Sequence, residues 1–188
     1  MHQGNQELKK ELKQHLDLGE TLVWEGKPEQ GIKLRKIDIL MIPFSLMWGG
    51  FAFFWEYMAL SARAPFFFKL WGIPFVLVGI YLIIGRFFYD AKRRKNTFYG
   101  ITKDRLIIKS GVFSTEISSL NLDNLPGLTL VEYGDGGGTI ILGNETTYTN
   151  FFRGTGWPAG RSVIAPALEN IKNARQVYKQ ITNLQKEN

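Results

Sequence analysis

The chain has no cysteine among its 188 residues. That excludes disulfides, Cys-ligated zinc, iron–sulfur clusters and thiol nucleophiles. Its two histidines, His2 and His15, stand far in sequence from any cluster of acids, so no metal site is expected. No G-x-S-x-G, H-E-x-x-H or Ser/His/Asp grouping occurs. The glycine run at residues 134–138 lacks the Lys-Ser/Thr ending of a phosphate loop and precedes a strand-like segment, so it reads as a β-hairpin turn. The sequence therefore offers no catalytic centre and no cofactor, and a non-enzyme is expected. The first residues also lack the basic, apolar and small-residue zones of a signal peptide, so no export of the N-terminus is expected.

Charge is missing from two long runs. Residues 39–55 and 70–85 contain no Asp, Glu, Lys or Arg. Bulk composition hides this, because 45% hydrophobic and 21% charged residues look ordinary. The apolar segments at 37–60 and 66–88 are each close to the ~20 residues that cross a bilayer's hydrocarbon core. Both are apolar all round rather than striped, unlike helices of a soluble protein. A break at residues 61–65 forces a tight antiparallel hairpin. Pro and Gly within the second segment are tolerated in lipid, where unpaired backbone would cost more. Gly49 and Gly50 in the first segment, with Gly72 and Gly79 in the second, are candidate helix-packing positions. Glu56 reads as an interfacial residue near the outer end of the first span.

The formal net charge is +6, and its placement identifies the partner. Lys27, Lys33, Arg35 and Lys36 precede the first span. Arg86, Lys92, Arg93, Arg94 and Lys95 close the second, and the connecting break holds only Arg63. By the positive-inside rule both termini are expected in the cytoplasm and the break outside, in a multi-pass protein of the cell inner (plasma) membrane. Arg86, Lys92, Arg93, Arg94 and Lys95 are then candidate contacts to anionic lipid headgroups, each contributing about 1 kcal/mol. A lipid bilayer, rather than nucleic acid, is the expected partner.

Outside the hairpin the pattern changes. Leu8, Leu12 and Leu16 form a narrow stripe on a short charged helix, which reads as a surface helix docked on its own domain. Residues 19–28 read as a short strand closed by a Gly/Pro turn. From residue 96 onward, β-hairpins are expected over 97–102 with 105–109, a strand over 112–120, and another pair at 128–133 and 139–143. Further strands are expected at 146–152 and 161–165. Pro166 is expected to open a C-terminal helix, with Leu168, Ile171, Ala174, Val177 and Ile181 along its apolar face.

The chain is thus divided into a cytoplasmic N-terminal helix and strand (1–36), transmembrane helices at 37–60 and 66–88, an external turn (61–65) and a cytoplasmic α+β module (89–188). Because the hairpin returns both polar parts to one side, the strand at 19–28 is placed to join the module after residue 96.

Several motifs stand in a familiar order. Gly19-Glu20 with Trp24-Glu25-Gly26-Lys27-Pro28 opens the chain. After the hairpin and basic run come Tyr99-Gly100-Ile101-Thr102-Lys103-Asp104-Arg105-Leu106, then the Gly-Thr-Ile-Ile-Leu-Gly strand at 138–143, then Pro166-Ala167-Leu168-Glu169-Asn170-Ile171. In these the chain resembles the bacterial pleckstrin-homology-like (PH domain-containing) two-span membrane proteins. The resemblance implies a bent antiparallel β-barrel capped by a C-terminal helix, and no catalytic residues. It also implies a headgroup or partner contact at Lys103, Arg105 and Lys109. The expected function is a membrane-anchored module that binds a protein or lipid, with homo-oligomerisation through the glycine faces. The alternative is an accessory subunit that contacts a transporter or membrane enzyme through the hairpin.

Overall fold

The structure is a computed structural model that describes residues 11–35, 37–62, 65–146, 149, 153 and 164–187. Most of the strands expected at 146–152 and 161–165 lies outside them, as do Leu8, Lys36 and Arg63.

The hairpin is two long helices. Helix α1 spans Asp38–Ser61, with Pro43 in its second turn. Helix α2 spans Phe66–Ile80 and runs on through a π-helical turn (Tyr81–Gly85) into helix α3 (Arg86–Lys95). The continuous stretch Phe66–Lys95 is 30 residues, roughly 45 Å at 1.5 Å per residue. That exceeds a hydrocarbon core of about 30 Å, so the stretch is long enough to cross and still project as α3. The helix therefore continues past residue 88, where the apolar segment ends.

The contact between α1 and α2 is built from small residues. Gly49, Ala52, Ala59, Gly72 and Gly79 are buried, while the Phe, Trp and Leu side chains around them point outward. Gly49 and Gly79 face each other, and a Cβ on Gly79 would stand 3.0 Å from the Gly49 Cα. Gly72 makes room for the Glu56 carboxylate. Gly50 points away, with nothing near a Cβ built there. Ser45 is buried and returns its hydroxyl to the Ile42 carbonyl at 2.9 Å.

The module is α+β, with two antiparallel sheets. Strands β1 (Trp24–Gly26), β2 (Phe98–Ile101), β3 (Arg105–Ser110) and β4 (Glu116–Asn121) pair in that order. Strands β5 (Leu128–Glu132), β6 (Gly138–Leu142) and β7 (Ala167–Ile171) form the second sheet. Among the described residues no ladder joins β4 to β5, so the two sheets stand as separate ladders. Strand β1 precedes the hairpin and β2 follows it, with Trp24 opposite Ile101 and Gly26 opposite Tyr99. One sheet is thus assembled from both sides of the hairpin.

Between the sheets, Ile101, Leu106, Leu122, Ile140 and Leu168 are fully buried. Helix α4 (Ala174–Glu187) closes this core with Ala174, Val177 and Ile181. On the outer face of β2 and β3, Leu12 is also fully buried. It fits because residue 100 is glycine: a Cβ there would lie 2.9 Å from Leu22 and 3.3 Å from Leu12. The β5–β6 turn uses Gly136 at φ +78, and Asp135 accepts the Gly137 N–H at 3.0 Å, a turn rather than an anion cradle.

One boundary differs from expectation. The helix does not begin at Pro166. Residues 167–171 are β7, and α4 starts at Ala174. Leu168 and Ile171 suit a helical stripe, but they suit a strand beside β6 equally well. Asn173, at φ 52, takes the left-handed conformation that asparagine tolerates and so separates strand from helix, while Asn170, at φ 50, does the same inside β7, where its register against β6 is irregular.

Candidate functional site at the base of the hairpin

The helix α3 carries four consecutive basic residues, and helical geometry sends them to different neighbours. Lys92 and Lys95 are exposed, Arg93 is half-buried and Arg94 is buried. Arg93 donates to Glu169 on β7 at 2.6 Å. Arg94 reaches Asp90 at 3.2 Å and the Gly31 carbonyl at 2.6 Å, with its side chain 1% exposed. Its Nε and one Nη have no hydrogen-bond partner. Arg35, just before the hairpin, pairs with Asp90 at 3.0 Å and approaches Glu169 at 3.6 Å. Arg153 joins from the β6–β7 connection, at 3.1 Å from Glu169, and also pairs with Glu145.

Four guanidiniums therefore meet the carboxylates of Asp90, Glu145 and Glu169 where both ends of the hairpin enter the module. Burial pushes the Glu169 pKa up, but Arg93, Arg35 and Arg153 outweigh it and hold the carboxyl at about 2. The Glu169 backbone N–H donates to the Tyr99 hydroxyl at 3.0 Å, which ties the second sheet to the first. Burial raises the Tyr99 pKa, so the phenol keeps its proton. Beside this cluster lies a cavity of about 150 Å³, whose lining includes Arg94, Thr97, Ser110, Ser118 and Ala167.

A second ion pair closes the hairpin above the cluster. Arg86 meets Asp38 at 2.8 Å with both side chains under a tenth exposed. The other Asp38 oxygen accepts the Arg35 backbone N–H at 2.6 Å. Arg86 also lies over the Phe87 ring at 4.5 Å.

Of the five residues expected to face headgroups, Arg86, Arg93 and Arg94 are thus turned inward, and Lys92 and Lys95 face outward. Asp90, four residues before Arg94, is a local partner, but Glu169, 76 positions from Arg93, was invisible locally. Lys103, Arg105 and Lys109 do not converge either. Phe98, the start of β2, pairs with Lys109, so Lys109 is at the hairpin end of the sheet and the turn carrying Lys103 and Arg105 is at the far end. Arg105 is held by Glu20 at 2.6 Å and by Asp17 at 2.9 Å, and it lowers the Glu20 pKa to about 2. Lys109 pairs with Glu11. Lys103 is exposed. Gly49, Gly72 and Gly79 pack inside the hairpin and Gly50 does not. Glu56, read as interfacial near the outer end of the first span, lies between the helices there, with one carboxylate oxygen buried and unpaired.

Among the described residues no three His, Asp or Glu side chains are grouped to hold a metal ion. The arginine–carboxylate cluster is an electrostatic joint between hairpin and module, in which four guanidiniums share three carboxylates.

No curated protein and no solved structure matches the chain. A family model does: residues 40–185, from the first apolar helix into α4, match the bacterial PH domain. With a module of antiparallel strands closed by a C-terminal helix, and a match over most of its length, the chain belongs to the bacterial PH domain family.

Proposed function

We propose that this protein is a membrane-anchored, non-enzymatic binding module of the bacterial inner membrane. On this reading residues 37–60 and 66–88 cross the bilayer, residues 61–65 face outward, and 1–36 and 89–188 form one cytoplasmic body that binds a protein or lipid. PH-like domains are in general binding modules rather than enzymes, which supports the class. The observation that carries the membrane reading is the inverted packing of the hairpin. Only 22% and 11% of the residues in its two apolar windows are buried inside the protein, although both helices are long enough to span. A soluble core helix would hide those Phe and Trp side chains. Lys92 and Lys95, with Lys27, supply positive charge at the cytoplasmic edge. A role for Lys103 and Arg105 is then a contact to a partner approaching from the cytoplasm.

The topology is tested by single cysteines in the cysteine-free chain, labelled in intact cells with a membrane-impermeant maleimide. Ser61→Cys should label from outside and Asp123→Cys should label only after lysis. Labelling of Asp123→Cys in intact cells would reverse the orientation.

A second reading, an accessory subunit docked through the hairpin, is favoured by Gly50. It is a notch on the outer face of α1, open to an approaching helix. Crosslinking in native membranes that finds no protein against the hairpin, with Gly50→Leu unchanged in phenotype, would dispose of this reading.

A further inference from the structure

We propose that the β3–β4 turn, residues 111–115, is a second membrane contact, in which the Phe113 ring sits among the lipid headgroups of the leaflet the hairpin leaves. This rests on the membrane-anchored reading above and adds how the module is held against the bilayer. Phe113 is 91% exposed, the most exposed aromatic side chain among the described residues. A lone exposed phenylalanine is ordinary on a soluble surface. Its position is what separates this one.

The sheet's topology places the turn at the hairpin end. Strand β2 begins where α3 ends, β3 runs back to it, and Ser110 pairs with Glu116 across the turn. The turn thus emerges beside the base of the hairpin. Its shape is constrained: Gly111 takes φ +153, and a Cβ there would strike the Ser114 carbonyl. Val112 is half-buried, so Phe113 is the apolar side chain presented at the tip.

Phe113 also continues an apolar face of the emerging helix. Phe88 and Ile84 are exposed on that helix, four residues apart, and Lys92 follows four residues after Phe88. Helical side chains lean toward the N-terminus, so the Lys92 ammonium reaches back toward the level of Phe88, nearer the hydrocarbon. The Lys92 Nζ lies 5.6 Å from the Phe113 ring centroid. Ring and ammonium together match what a headgroup layer accepts, an apolar body with a cation beside phosphate. Lys95 and Lys27 add charge of the same sign nearby in the fold, with Lys27 over the Phe98 ring at 4.0 Å. Glu116, exposed where β4 begins, marks the aqueous edge of the contact.

Nitroxide labels measure this directly. Three single-cysteine variants, Phe113→Cys, Phe54→Cys and Asn124→Cys, are labelled in the full chain and reconstituted into vesicles of phosphatidylethanolamine and phosphatidylglycerol. Collisions with oxygen, which concentrates in lipid, are compared with collisions with a water-soluble nickel chelate. The label at 113 should lie about 5–10 Å into the interfacial zone, the immersion of interfacial amphipathic segments. Its preference for oxygen over the chelate should fall between that of 54, in the apolar span, and that of 124, at the far end of the sheet, which favours the chelate. A label at 113 as open to the chelate as 124, with 54 in lipid, overturns the contact and leaves the anchored reading standing. A label at 113 shielded from both reagents makes the turn a protein contact and also overturns the proposal. If 54 itself is open to the chelate, the anchored reading fails, and this inference with it.

Discussion

The hairpin and the module pack in opposite senses. In the hairpin the large apolar side chains point outward, and the contact surface is Gly49, Ala52, Gly72 and Gly79. In the module Ile101, Leu106, Ile140 and Leu168 point inward, and lysines and acids face out. The module follows the rule that burial of apolar area, at about 25 cal/mol per Å², drives packing in water. On the membrane-anchored reading proposed above, lipid is the solvent of the hairpin, and close backbone approach replaces hydrophobic burial. Between these regimes stands a seam of buried charge. It links them by ion pairs, because neither apolar surface can serve there.

Breaking that seam should have the largest effect. Glu169→Gln leaves Arg93, Arg35 and Arg153 facing a neutral group. Removing one partner of a buried pair costs about 3–5 kcal/mol, so the urea midpoint of the detergent-solubilised protein should fall sharply. An unchanged midpoint would mean that the cluster is solvated and the seam is not a joint. Arg86→Leu, which strands Asp38, should cost toward the lower end of that range. The double variant Asp38→Leu with Arg86→Leu should recover most of it, since an apolar pair of similar volume replaces an ion pair at little cost.

Acid probes the same seam more gently. The folded pKa of Glu169, about 2, lies below its ordinary 4.5. Its contribution is therefore complete above pH 4.5 and is lost as pH falls toward about 2. Glu20, held by Arg105, follows the same sign. Unfolding curves taken across that window should show stability declining with acid, and Glu169→Gln should flatten the decline. Equal slopes in variant and parent would remove Glu169 from the account.

Within the hairpin, Gly79→Leu should separate the helices where Gly49 and Gly79 touch. Overpacking of this kind costs about 1–3 kcal/mol. Cysteine crosslinking between α1 and α2 should slow, and an unchanged rate would deny the close approach. The smallest effect should be Gly50→Leu, within about 0.5 kcal/mol of the parent, because nothing lies near its Cβ. The contrast between these two glycines tests whether small residues pack the hairpin itself or await a partner.

Much of the fold was legible as pattern. Two charge-free runs marked the long helices, because composition alone decides that a segment has no polar face. Alternation and turn residues marked β2, β3, β5 and β6, and the Trp24–Gly26 strand was expected to join the later module. The C-terminal boundary was missed because Leu168 and Ile171 fit both periods. The choice fell to β6, whose edge needed a partner, and to Asn173, whose left-handed conformation parts strand from helix. Of the bent barrel that was expected, the described residues show the antiparallel strands, in two sheets about one core, and the closing C-terminal helix.

The candidate site was the least legible part. The run 92–95 reads as one basic patch, yet α3 turns two of its arginines inward and leaves its lysines outside. Glu56, read as an interfacial residue near the span's outer end, lies against Gly72 on the neighbouring helix, a contact the sequence did not suggest. Local sequence determined which segments are apolar, which of those before residue 143 are β, and where positive charge gathers, since these depend on residues a few positions apart. Apart from the local pair of Asp90 with Arg94, only the tertiary structure decided which charges meet, because Arg35 and Asp90 are separated by the hairpin and Arg93 and Glu169 by most of the module.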